Sequence, residues 1–305
     1  MIPAWLAALV AELPDLDYFD AHTHIGENDP DGSRSSPEEL LASLEPLHAR
    51  AVVFPMHEPD GYPPANDRVL AEAAASDGRL VPFCRLDPHA DPLAEAARCV
   101  AAGARGIKLH PRAEQFALDE PVVSEIFAFA DERRLPVLIH AGRGIPALGV
   151  LTLEHARAFP NARVILAHAA ICDLSWIWKV MPDHPNVFID TSWWIPADLL
   201  ALFALVAPGQ ILLASDAPYG PPALGAVLGL RCALHAGLSE AQLRSVAGGQ
   251  VQRLIAGDDP LDVGPAPGAD AVGRDLLLDR IAFYLVFAIG RLLGGGPGEE
   301  GVALA

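Results

Sequence analysis

Two histidines stand one residue apart at the end of an apolar run, His22 and His24 in "FDAHTHIG" (residues 19–26). Side chains of an extended strand alternate faces, so both imidazoles project to one side and Thr23 to the other. Two ring nitrogens on one face suit zinc, manganese or iron, although such a pair also serves as an ordinary hydrogen-bonded rim. Partners elsewhere in the chain decide between the two. Three further polar side chains end apolar runs: His140 in "LIHAGRG", His168 in "LAHAA" and Asp216 in "LASDAPYG". A polar group in such a place is costly without a partner.

The elements that must position these residues recur along the chain. Short apolar, β-branched runs predict strands at about 17–24, 50–56, 80–87, 105–110, 136–141, 163–169, 186–192 and 211–216. Helical patterns lie between them, including "SPEELLASLEPLHA" with a serine cap and a glutamate three residues on, and "DEPVVSEIFAFADERR". Eight strands alternating with helices predict an α/β fold, a (β/α)8 TIM barrel with extra C-terminal helices, over residues 1–257. An open doubly wound sheet is the alternative, but no Gly-x-Gly-x-x-Gly follows the first strand. Residues 258–305 read as a Pro/Gly-rich linker, an apolar helix from about 270 to 293 and a Gly-rich tail.

In a barrel the C-terminal strand ends form the catalytic face. His22, His24, His140 and Asp216 then converge on one rim with His168 adjacent. Three imidazoles and a carboxylate leave a position open for water, as catalytic metal sites do. One divalent ion per chain is expected, zinc before manganese.

Composition excludes other roles. The 305 residues carry a formal charge of −18, which argues against a nucleic-acid partner. No apolar run reaches the length of a membrane span, and the N-terminal segment lacks the positive charge of a signal peptide. Four scattered cysteines read as reduced thiols of a cytoplasmic protein. Of 21 basic residues only Lys108 and Lys179 are lysine, so a specific role for Lys108 is favoured over a solvated one.

The ordered motifs "FDAHTHIG", "GIKLHPR", "PVLIHAG", "VILAHAA" and "ILLASDAPYG" resemble the amidohydrolase superfamily, in its amidohydrolase-2 branch of metal-dependent TIM barrels, over roughly residues 17–256. The resemblance implies metal ligation by His22, His24 and His140, and a ligand that also shuttles protons in Asp216. It implies that His168 activates substrate or orients water, or binds a second metal in binuclear members. Gln250 departs from the asparagine usual before the last helix, at a structural position.

Lys108 and His110 share a strand face, and Arg112 follows in the loop. Lys108 admits three readings: a substrate cation, a carbamylated bridge between two metals, or an inner-barrel lysine paired with a carboxylate. Arg85, Arg112 and Arg143 lie near strand ends, where arginine forks suit carboxylates. His57, Glu58, Trp193 and Trp194 are further pocket candidates. The expected activity is hydrolysis of a small carboxylate-bearing amide, ester or lactone, with a metal-activated hydroxide attacking the carbonyl carbon and Asp216 moving the proton. Non-oxidative decarboxylation or hydration on the same site is the alternative. A homo-oligomer is expected, and the C-terminal helix, apolar nearly all round, is expected to be buried against the barrel or a second copy, with a membrane surface as the weaker alternative.

Overall fold

The computed structural model describes residues 2–142 and 146–271. Its strands are β1 Phe19–Ile25, β2 Arg50–Pro55, β3 Leu80–Pro82, β4 Cys84–Arg85, β5 Ile107–Leu109, β6 Pro136–Ile139, β7 Arg163–Leu166, β8 Val187–Asp190 and β9 Ile211–Leu212. Neighbouring strands run parallel throughout. β3 and β4 are two halves of the single strand expected at 80–87. At Phe83, between them, pairing changes partner. The Phe83 N–H donates to Val53 of β2 (2.9 Å) and the Cys84 N–H donates to Gly106 beside β5 (3.0 Å). Backbone bonds also tie the last strand to the first: Ala21 donates to Leu213 (2.8 Å), Asp216 to His22 (2.9 Å) and His24 to Ala217 (2.7 Å). A barrel requires such bonds and an open sheet does not.

The helices are α1 Ile2–Glu12, α2 Pro37–Leu44, α3 Pro63–Ala75, α4 Pro92–Ala101, α5 Pro121–Arg133, α6 Gly149–Ala158, α7 Leu174–Ile177, α8 Pro196–Leu205, α9 Pro222–His235, α10 Glu240–Arg244 and α11 Gln250–Ala256. The serine cap expected before α2 is Ser36. Its hydroxyl accepts from the Glu39 N–H (3.2 Å), and the Glu39 carboxylate accepts from the Ser36 N–H (2.9 Å).

Strand alternation sorts the apolar residues into two layers. Phe54, Phe83, Leu138, Ile165, Phe188 and Leu212 fill the barrel interior, while Val53, Ile107, Val137, Val164 and Ile189 face the helices. Each buried phenylalanine contributes about 1.5–3 kcal/mol of hydrophobic stabilisation. β1 breaks the alternation once. Phe19 and Ala21 belong to the interior layer, and an unbroken strand would therefore turn Thr23 inward. A one-residue register shift between Asp20 and Thr23 reverses the parity, and His22 and His24 instead face the Phe54 ring, at 5.2 and 4.5 Å between centroids. A bulge of this kind re-aims side chains beside a site.

Residues 258–271 lie against the barrel rather than leaving it. The Leu261 N–H donates to the buried Gln250 side chain (3.0 Å) and the Gly268 N–H to Ala204 (2.8 Å). Gln250 thus has a structural task. The apolar helix expected at about 270–293, with the contact against the barrel or a second copy expected of it, lies outside the described residues. Among the described residues no helix is long and apolar enough to cross a membrane.

Candidate metal centre

β1 delivers two nitrogens and the turn after β9 one oxygen to a single point. The Nε2 atoms of His22 and His24 lie 3.2 Å apart, and Asp216 Oδ1 lies 3.0 Å from the first and 3.1 Å from the second. Among the described residues these three form the one group of donors close enough to share an ion. His22 Nδ1–H donates to Asp190 Oδ2 at 2.8 Å, which turns the Nε2 lone pair toward the group. A carboxylate behind a ligating histidine fixes its tautomer and raises its basicity. Donor chemistry, spacing and orientation therefore fit a divalent cation of the zinc or manganese type.

Charge is distributed unevenly over this cluster. Burial pushes the His24 imidazole down to about 3, leaving its nitrogen unprotonated and able to ligate. Burial and the neighbouring Lys108 act on His22 in the same sense, but Asp216 and Asp190 outweigh them and raise it above the ordinary histidine value. Burial would raise Asp216 as well. The positive charge of the neighbouring His22 imidazole instead holds it well below the usual carboxylate range.

The second half of the rim is built from His110, His140 and His168. His168 Nδ1 lies 2.9 Å from the Ser192 carbonyl, which can only accept. Burial lowers the His168 pKa and favours its neutral form, so the proton sits on Nδ1 and Nε2 accepts. His140 Nδ1, 3.0 Å from that Nε2, must then donate, and His140 keeps Nε2 as its only ligand atom. The His140 ring stacks on His110 at 3.8 Å. Thus three of the four expected ligands come together, while His140 stands beside them in the neighbouring cluster. Gly142 permits this packing, since a Cβ there would approach His140 Nε2 and His168 Cδ2 to 3.0 Å. His168 and Asp216 both adopt left-handed backbone conformations, with φ of 59° and 65°. Each costs about 1–3 kcal/mol, strain that is tolerated where the surrounding structure enforces it.

Asp190 was not singled out by sequence. It is fully buried and serves both halves of the rim: Oδ2 accepts from His22 Nδ1–H, and Oδ1 accepts from the backbone N–H groups of His168 (2.9 Å) and Ser192 (3.0 Å). Its signal was present in "VFIDTS", an acid ending an apolar strand as Asp216 does. Asp20, pushed up to about 6 by burial, likewise holds backbone N–H groups of His22 and Ser215 beneath the site.

The substrate candidates take different places. Lys108 is fully buried in the barrel, its Nζ 3.4 Å from His22 Nε2 and 4.9 Å from the Phe54 centroid, and burial brings it down to about 7. Arg85 is held by Glu114 (2.8 Å) and by the Pro55 carbonyl (3.3 Å), with Tyr62 donating to the same Glu114 oxygen. Its charge is thereby largely neutralised. Arg112 is exposed and pairs with no carboxylate among the described residues. Together with His24, His110, His140, Asp216 and Tyr219 it lines a chamber of about 440 Å³. A slot of about 150 Å³ beside it is lined by Trp193, Trp194 and residues of α9. Arg143 lies outside the described residues.

A (β/α)8 barrel with imidazoles and a carboxylate converging at its C-terminal strand ends defines a metal-dependent barrel enzyme. The chain belongs to the Amidohydrolase family, whose model (Amidohydro_2) matches residues 19–249. Solved structures share the fold. An amidohydrolase from Burkholderia multivorans with bound zinc is 15% identical, with a TM-score of 0.64 over 79% of this chain and 99% of its own. A probable 2-pyrone-4,6-dicarboxylic acid hydrolase from Acinetobacter baumannii is 13% identical, with a TM-score of 0.59 over 79% and 100%. A 5-carboxyvanillate decarboxylase from Novosphingobium aromaticivorans, solved with manganese, is 14% identical, with a TM-score of 0.58 over 79% and 96%. No curated protein matches the chain in sequence.

Proposed function

We propose that this enzyme hydrolyses a small carboxylate-bearing amide, ester or lactone. The observation that carries the reading is the position of Asp216 Oδ1 within 3.1 Å of both the His22 and His24 Nε2 atoms. His22, His24 and Asp216 would hold one divalent ion, zinc before manganese, with His140 Nε2 as the candidate fourth donor. When bound, such an ion lowers the pKa of water toward about 7 and polarises a carbonyl.

The chain's own groups divide the remaining work. Asp216, ionised and touching the donor cluster, accepts the proton of the attacking water and returns it to the leaving group. His168 has both ring nitrogens engaged, one by Ser192 and one by His140, so it positions His140 rather than offering an N–H to substrate. Lys108, fully buried with Nζ 3.4 Å from His22 Nε2, is then the group that in its protonated form meets developing negative charge. His110 and Arg112 on the chamber wall, with Arg143 beyond the described residues, receive the substrate carboxylate. Trp193 borders the reacting end.

The test is a screen of metal-replete protein against carboxylate-bearing amides, esters and lactones, with aromatic acids included. Hydrolytic turnover that disappears on chelation and returns with zinc or manganese supports the reading. The decarboxylase reading, which draws on a fold neighbour of that activity, takes over if carbon dioxide release from an aromatic acid is the metal-dependent reaction. Absence of both on a broad panel overturns the proposal.

A further inference from the structure

The slot beside the chamber is set apart by its walls. Leu224 and Leu228 stand one turn apart on α9 and face Trp193 and Trp194 across it. The two indoles stack at 4.5 Å, and Trp194 remains 55% exposed although it is one of the largest apolar side chains. Its polar neighbours are turned to other partners. Thr191 donates to the Ala214 carbonyl (3.3 Å), Ser192 to Asp190 (2.5 Å), and Trp193 Nε1–H to Asp198 (2.8 Å). The hydroxyl of Ser215 accepts from the Ala217 N–H (3.1 Å), and that of Tyr219 donates to Asp29 (2.6 Å). The wall presented to a guest is therefore apolar except at the mouth, where Asp216 and Tyr219 line both slot and chamber.

We infer that this slot is a specificity subsite for one apolar arm of the substrate, no larger than a single aromatic ring or a branched alkyl group of similar bulk. The inference deepens the hydrolytic reading, on which it rests for the position of the reacting bond at Asp216. Its size limit comes from volume. The slot's 150 Å³ equals the roughly 150 Å³ of an apolar cavity known to admit benzene. Its direction comes from continuity: with the reacting bond at Asp216, one arm must lie in the polar chamber toward His110 and Arg112 and the other in the slot. The substrate class is a molecule with a carboxylate at one end and one compact apolar group at the other, joined through the bond that is cut. Nothing on the slot wall would satisfy a second charge, so a polar second arm is rejected by desolvation.

The test compares 3-phenylpropionate with propionate by titration calorimetry on the protein as isolated. Both probes present the same carboxylate, so any contact with metal or cations cancels in the ratio of their affinities. A buried phenyl ring should make phenylpropionate bind about tenfold tighter or more. Leu224→Trp fills the slot and should bring the ratio close to one. Trp194→Ala removes a side chain that is 55% exposed, and should reduce the ratio severalfold even if Leu224→Trp fails to fold. Equal affinities in the native protein, or an undiminished ratio in Trp194→Ala and in folded Leu224→Trp, overturn the subsite. Failure of the hydrolytic reading appears separately, as an absence of metal-dependent turnover with the binding ratio intact.

Discussion

The two halves of the rim use the same side chain in opposite electrostatic settings. On one side His22 lies between Asp190 and Asp216, at 2.8 and 3.0 Å, and its pKa rises despite complete burial. On the other side His140 contacts both His110 and His168, and burial drives all three downward, Asp216 and Asp190 acting on His168 too weakly to reverse it. Histidine type and strand-end position are therefore not sufficient to assign a role. Asp190 behind His22 orients that ring's lone pair toward a cation, whereas His24 and His168, lowered by burial, stay neutral and serve as ligand and hydrogen-bond relay respectively.

Removing the proton acceptor should have the largest effect. Asp216→Asn keeps the volume but cannot carry a proton, and kcat should fall by about 10²–10⁴-fold in metal-loaded protein with KM little changed. Asp190→Asn should lower metal affinity by about 10–100-fold, because His22 loses the acceptor that orients it. Competition against a chelating dye measures this, and unchanged affinity would detach Asp190 from the metal half.

Titration separates the halves through stability. His24 has a folded pKa of about 3 against an ordinary value near 6.5, so it favours the folded state above 6.5 and that contribution is lost as pH falls toward 3. The lowered His110, His140 and His168 act in the same direction. His22, raised, acts oppositely: its contribution is full below about 6.5 and is lost as pH rises through its folded value. Urea unfolding of chelated protein should show stability falling by a few kcal/mol below pH 6.5, and Asp190→Asn should steepen the fall. The smallest effect belongs to Gly142→Ala, where a methyl group would press on His140 and His168. Metal content should hold while kcat falls about tenfold or less.

Much of this architecture was legible in the sequence. Strand periodicity located all eight barrel positions, and Ser36 with Glu39 marked the start of α2. The β1 bulge was not legible, because one extra residue between Asp20 and Thr23 leaves the local His-Thr-His alternation intact while reversing the parity below it. The exchange of partners at Phe83 depends on which strands are adjacent, and the Arg85–Glu114 pair spans 29 residues and a loop. Neither is encoded in local spacing. Asp190 carried the same strand-end signal as Asp216 in "VFIDTS", but its place behind His22 rather than among the ligands is set only by the fold. His140 was correctly placed at a strand end, but its hydrogen bond to His168 depends on a neighbouring strand.

The central claim is that His22, His24 and Asp216 hold one ion. Elemental analysis of purified protein, reconstituted with zinc and freed of excess, measures it directly beside His24→Ala and His140→Ala prepared identically. The expected result is about one ion per native chain, close to none in His24→Ala, and weakened but measurable binding in His140→Ala. A native protein that takes up no metal, or a His24→Ala protein that binds a full ion at native affinity, would contradict the claim.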